Sequence, residues 1–177
     1  MSLRQVPGAG MHAISIIRSE HRNLGAVLYS LEQLLAQVAE GKQPDFAVFH
    51  GLLTYIDRFL NRFHHPKEDL YLFPRLRERA SASAELIARL EQQHVEGELL
   101  FVKLLKALSA FEFSGDDELE RFRSSLLAYT TFEREHALLE ESELLPLAQD
   151  SLQAADWMEI DAAFNANRDP MFGEQSQ

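Results

Sequence analysis

His64-His65-Pro66-Lys67-Glu68-Asp69-Leu70-Tyr71-Leu72-Phe73-Pro74 has a gapless counterpart later in the chain, His136-Ala137-Leu138-Leu139-Glu140-Glu141-Ser142-Glu143-Leu144-Leu145-Pro146. Both segments read histidine, three residues, glutamate, an acid, two residues, leucine, an apolar residue and proline. Each is preceded by a further histidine at matched distance: His21 lies 43 residues before His64, and His94 lies 42 before His136. A repeat of this kind describes two like units, and the apolar spacing around it marks them as helical hairpins.

The first hairpin opens with Ile14, Ile17, Leu24, Leu28, Leu31 and Leu35 on one helical face, closing near Gly41 with Pro44 beyond as a stop. Asp45 is a candidate N-cap for a second helix carrying Phe49, Leu53, Ile56 and Leu60 and ending near Pro74 or soon after. Pro66 lies inside it and predicts a kink, because it removes one backbone hydrogen bond. After a short connection at Ser81 to Ser83, a third helix aligns Ile87, Leu90, Phe101, Leu105 and Leu108. Ser114-Gly115-Asp116 is a turn followed by an N-cap, and the fourth helix presents Phe122, Leu126 and Tyr129 before stopping near Pro146. A shorter segment, Ala154 to Phe164, is expected to pack Trp157 and Phe164 on the bundle, with a loose tail behind it. No period-two alternation stands out. The pattern predicts an all-α protein, an antiparallel up-down four-helix bundle over residues 11–150, with a short appended C-terminal helix and tail over 151–177.

Composition narrows the function. At 177 residues with 46% apolar content, the chain suits one globular domain. The net charge of −11 argues against nucleic acid, whose phosphates would be repelled. No stretch approaches the roughly 18–20 apolar residues of a membrane helix, and Met1 to Gly10 does not read as a signal peptide. The absence of cysteine excludes disulfides, thiolate zinc sites, iron–sulfur clusters and cysteine nucleophiles. A cytoplasmic protein is the expectation.

The gaps in the apolar stripes carry the chemistry. His21 fills the vacancy between Ile17 and Leu24, and His94 that between Leu90 and Phe101. His64 follows Leu60 by one turn, with Glu68 one turn later; His136 continues the stripe of Tyr129, with Glu140 one turn later. Residues four apart share a side of a helix, so each histidine–glutamate pair points into one small volume. Any one such histidine alone reads as a satisfied core residue. Six polar groups on four inward faces are costly to bury without partners, and a metal pair removes that cost: imidazoles and carboxylates are the ligands of di-iron and di-manganese sites. Packed about a pseudo-twofold axis, the two hairpins could give each metal two histidines, with two glutamates bridging the pair.

On these residues the chain resembles the hemerythrin-like, histidine–histidine–glutamate cation-binding family over roughly residues 11 to 150. The resemblance rests on His21, the run from His64 to Asp69 with Leu72-Phe73-Pro74, His94, and His136 with Glu140. It implies a non-haem di-iron centre in which His21 and His64 serve one iron, His94 and His136 the other, and Glu68 and Glu140 bridge. Oxygen-carrying hemerythrins have a further histidine one turn after the third-helix histidine. Here that place is Glu98, which argues against reversible oxygen transport and leaves Glu98 as an added anionic ligand, a hydrogen-bonding group or a solvated acid. Gly97 beside it either leaves room for a small molecule or serves helix packing.

The residues around the six are assigned plainer roles. His65, adjacent to His64, is expected to point a quarter-turn or more away, to a boundary position or to a supporting place beside the ligands; Asp69 and Glu141 are expected to face solvent or neighbouring helices. Tyr129 and Glu133 lie on or near the inward face of the fourth helix, within reach of the ligands, while His12 and His50 read as surface residues. The expected cofactor is two iron ions, ahead of manganese or zinc. The leading functional reading is a sensor, scavenger or redox protein for oxygen, nitric oxide or peroxide, with reducing equivalents from a redox partner protein, since no flavin or nicotinamide motif is present. The alternative is an iron-binding module for buffering, delivery or repair of iron centres without turnover. A helical interaction domain with a zinc-filled or vestigial site ranks third. Whether catalysis occurs, and the oligomeric state, stay open.

Overall fold

The computed structural model describes residues 11–166. Met1 to Gly10 and residues 167–177, with the expected tail, lie outside the described residues. Four long helices form the bundle. Helix α1 spans Met11–Ala39 and ends where Gly41 takes a positive φ of 87°, a conformation that a side chain would strain. Helix α2 covers residues 46–79, and Asp45 caps it by accepting a hydrogen bond from the Val48 amide. After the 3-10 turn Ser81–Ser83, helix α3 spans Ala84–Ser114. Gly115, at φ 73°, and a 3-10 turn Gly115–Glu118 lead into α4, residues 119–151, so Asp116 lies in that turn rather than capping the helix.

The prolines do not end the helices. Helix α2 passes Pro74 to reach Arg79, and α4 passes Pro146 to reach Ser151. The reason lies just ahead of each proline, where the helix widens into a π turn, Glu68–Leu72 in α2 and Glu140–Leu144 in α4. In those turns the amides of Phe73 and Leu145 reach back to the carbonyls of Glu68 and Glu140. The wider turn eases the contact between the proline ring and the carbonyl one turn back that normally breaks an α-helix. The sequence repeat is therefore a backbone repeat too. Helix α2 has one more π stretch, Asp57–His64, ahead of the α turn His65–Lys67 that holds Pro66. Pro66 thus sits at a change of hydrogen-bond register, with the His65 amide bonded to the Leu60 carbonyl.

Helix α5, Ala154–Asn165, lies against α1 and the π turn of α2. It buries Trp157, Ile160 and Phe164. Asp161 accepts from the Ala13 amide at 2.8 Å, and Asp156 takes a two-pronged hydrogen bond from Arg79 at 2.8 and 2.9 Å. No helix among the described residues is long and apolar enough to cross a membrane.

The buried apolar side chains fall into two clusters. One gathers Leu24 to Leu35, Phe49 to Leu60, Phe101 to Phe111 and Phe122 to Tyr129. The other gathers Ala13 to Ile17, Leu72 to Leu76, Ile87, Leu90, Leu139 to Leu152 and α5. Along every one of the four long helices, the passage from one cluster to the other crosses a histidine. Leu104 is fully buried on α3, where the stripe pointed to Leu105, which packs at the core's margin.

Candidate metal centre

Between the two cores lies a layer of buried polar groups: His21, His64, His65, Glu68, His94, Glu133, His136 and Glu140. Glu68 and Glu140 are fully buried. Their i,i+4 spacing from His64 and His136 brings Glu68 Oε1 to 3.5 Å from His64 Nε2, and Glu140 Oε1 to 3.2 Å from His136 Nε2. Each carboxylate also reaches across the bundle. Glu68 Oε2 is 3.6 Å from His94 Nε2, and Glu140 Oε2 is 3.1 Å from His21 Nε2. Glu68 and Glu140 therefore each stand between histidines of both hairpins.

Two sets of four residues have ligand atoms within 4.8 Å of one another: His21, His64, Glu68 and Glu140; and His65, His94, His136 and Glu68. All seven residues are buried. The six residues singled out in the sequence thus converge, and Glu68 belongs to both sets. The Nε2 atoms of His64, His65, His94 and His136 and both oxygens of Glu68 and Glu140 have no hydrogen-bond partner among the described residues. Buried lone pairs without partners are costly. Imidazole nitrogens and carboxylate oxygens converging in this way fit a cation, which would satisfy them together.

A ring of orienting contacts surrounds this centre. His64 Nδ1 donates to Glu20 at 2.6 Å, His94 Nδ1 to Asp69 at 3.0 Å, His136 Nδ1 to Gln93 at 3.1 Å, and His21 Nδ1 to Glu141 at 3.0 Å. Each acceptor is the sequence neighbour of an inward-facing residue on the adjacent helix, so α1 holds α2, α2 holds α3, α3 holds α4 and α4 holds α1. An Nδ1–H so engaged leaves the Nε2 lone pair facing the centre. Asp69 and Glu141 do face solvent in part, but they also hold His94 and His21. Glu20 and Gln93 went unnoticed in the sequence. The available signal is their place directly before His21 and His94.

Charge in this layer follows from burial and from these pairs. Burial lowers the His21 and His94 pKa values, but the carboxylates outweigh it, Glu140 and Glu141 for His21 and Asp69 and Glu140 for His94, raising each to about 9. Burial wins at His64 despite Glu20, and at His65 it is joined by repulsion from His94 and His136, which holds that ring well below the usual histidine range. Burial and the charge of Glu140 push Glu68 up; Glu140, facing three imidazoles, is held down despite its own burial.

Around the centre, one expectation changes and the alternatives left open by the sequence are decided. His65 is buried in the layer rather than at its boundary, its ring stacked on His94 with centroids 4.1 Å apart. The preceding π stretch spreads more residues over each turn, so successive side chains diverge less than the ~100° of an α-helix. Glu98 is exposed, in a surface depression with Asp57, Asn61 and Arg62, and stands outside both groups. The space above Gly97 is taken: a Cβ there would lie 2.9 Å from Glu133 Oε1 and 3.2 Å from the Phe132 ring. Glycine at 97 serves helix packing. Tyr129 and Glu133 are buried, yet the Tyr129 hydroxyl and Glu133 carboxylate make no hydrogen bond to the histidines. Burial raises Glu133 to about 7, against the opposing pull of His136. His12 pairs with Asn165 and His50 with Glu112 at the surface.

A helical bundle whose waist gathers imidazoles and carboxylates into two adjoining groups defines a cation-binding protein of the carboxylate–histidine class. The family described as hemerythrin HHE cation binding domain matches residues 12–148, and the chain belongs to it. Uncharacterised proteins of Mycobacterium bovis and Mycobacterium tuberculosis are 23% identical over 155 residues, which is 88% of this chain. The chain spans 60% of the length of these relatives.

Proposed function

We propose that this protein holds a pair of iron ions at the bundle waist and uses them to bind or react with oxygen, nitric oxide or peroxide. The observation that carries this reading is the sharing of Glu68 between two groups of ligand atoms, most of which have no hydrogen-bond partner. A carboxylate between two cations offsets their mutual repulsion, and Glu140, with its oxygens toward His21 and His136, suits the same role. Iron, with its preference for mixed imidazole and carboxylate donors, fits the set. When bound, such a pair supplies one-electron redox chemistry and positions open to a small molecule.

The chain's own residues supply fixed geometry and a dry setting. Glu20, Asp69, Gln93 and Glu141 hold the four rings by Nδ1, and the apolar clusters above and below exclude water from the layer. Electrons would come from a partner protein.

Elemental analysis of protein purified without added metal tests the first half of the proposal; about two irons per chain is the expected result. Mixing the reduced, iron-loaded protein with oxygen, peroxide or nitric oxide while recording absorbance tests the second. A rapid spectral change with at least one of them supports a small-molecule role. Stable iron occupancy with no response to any of the three would favour the buffering or delivery alternative.

A further inference from the structure

The two halves of the centre are not equivalent, and His65 is the cause. Its counterpart in the repeat is Ala137, and every other inward-facing ligand candidate has a counterpart of its own kind: His21 with His94, His64 with His136, Glu68 with Glu140. His65 is 5% exposed, and its Nε2 is buried without a hydrogen-bond partner. Its ring lies 4.1 Å from that of His94 at an interplanar angle of 14°, and 5.2 Å from that of His136 at 82°. Its ligand atom belongs to the same 4.8 Å set as those of His94, His136 and Glu68. If the ring were there only to pack, a phenyl group would fill the place without leaving a buried nitrogen unsatisfied.

We propose that His65 is a metal ligand, the third imidazole on the ion held by His94 and His136. This rests on the reading that the centre holds two cations. The ion of the second hairpin is then bound by three imidazoles with Glu68, and that of the first by His21 and His64 with two carboxylates. The two ions would consequently differ in affinity and in the charge their ligands provide.

The test uses zinc as a redox-silent probe on the full chain, with His65→Phe as the variant that keeps an aromatic ring. Wild type is expected to take up two zinc ions; His65→Phe is expected to keep one and to bind the second at least tenfold more weakly. Without metal, His65→Phe should melt above the temperature of the metal-free wild type, because the unsatisfied nitrogen is gone. A packing role predicts the reverse, unchanged zinc binding and no gain in melting temperature, and that result would overturn the proposal. A second measurement does not depend on any variant. Nitrogen-15 NMR of histidine rings in zinc-loaded wild type should show five metal-bound imidazoles; four would also overturn it. Wild type that binds no metal would sink the paired-cation reading itself, whereas two ions bound through four imidazoles would leave that reading intact and remove only His65.

Discussion

Glu20 Oε2 stands 2.6 Å from His64 Nδ1, with both side chains almost wholly buried. The repeat places Gln93 and His136 in the same relation at 3.1 Å, so one hairpin orients its histidine with an acid and the other with an amide. Charged acceptors hold an imidazole more firmly and raise its basicity as a ligand. The arrangement gives every helix two tasks at one level of the bundle: one residue faces the centre and its neighbour in sequence fixes the ring on the next helix.

Removing the acceptor should loosen the ring without dismantling the bundle. Glu20→Ala is expected to lower cation affinity by roughly 10–100-fold, measured by competitive titration against a chelator, while far-ultraviolet circular dichroism stays helical. An unchanged affinity would mean that packing alone orients His64.

Glu68 is the group common to both sets, so its loss should be felt at both. Glu68→Ala is expected to abolish loading of the pair, whereas His21→Ala should spare the group formed by His94 and His136. Metal per chain by elemental analysis distinguishes them. Two ions retained in Glu68→Ala would refute the shared-ligand assignment.

Cation binding should stabilise the fold, since the unfolded chain cannot gather these ligands. A free-ion concentration of about one hundred times the Kd should add roughly 2.7 kcal/mol. Thermal melts at rising metal concentration check this: the melting temperature should climb with concentration and fall back when a chelator is added.

Gly97→Ala sets helix propensity against space. Alanine would ordinarily gain about 0.5–1 kcal/mol in a helix, but the new Cβ would meet Glu133 Oε1 at 2.9 Å and Phe132 at 3.2 Å. A net loss of about 1 kcal/mol is expected. In a Glu133→Ala background the same change should recover about 1 kcal/mol relative to its effect in wild type. Denaturant titration of the four proteins measures that coupling, and additive effects would show that the carboxylate and Gly97 are independent.

Asp156 fastens α5 through Arg79 and through the Gln153 amide at 2.9 Å. Asp156→Ala should cost about 1–2 kcal/mol, seen as earlier release of the single tryptophan, Trp157, in fluorescence-monitored unfolding. The Arg79 hydrogen bond holds the Asp156 carboxyl below its ordinary value of 3.8. A depressed acid stabilises the fold above its unfolded pKa and loses that effect as pH falls through its folded pKa. The difference between wild type and Asp156→Ala should therefore be constant at neutral pH and shrink below about pH 4.

Residue spacing alone was enough to place the four helices and the six inward-facing groups. A stripe at steps of three and four has to bury one face, and a histidine or glutamate filling a gap in that stripe has to be carried into the same interior. His21, His64, Glu68, His94, His136 and Glu140 were legible for that reason, and so was the repeat that relates them. What periodicity assumes is an unbroken α-helix. The π turns at Glu68–Leu72 and Glu140–Leu144 break that assumption, which is why both helices continue past their prolines and α4 overruns the end that spacing put near Pro146. The π stretch Asp57–His64 likewise re-aimed His65, a residue that an α-helical count turns toward the boundary. Glu20, Asp69, Gln93 and Glu141 stand beside inward-facing residues in the sequence, but which ring each one holds was decided by packing. Each contact joins residues on different helices, and its geometry depends on the azimuth of one helix against the next. Local spacing sets which residues share a face, and tertiary packing alone sets which faces meet.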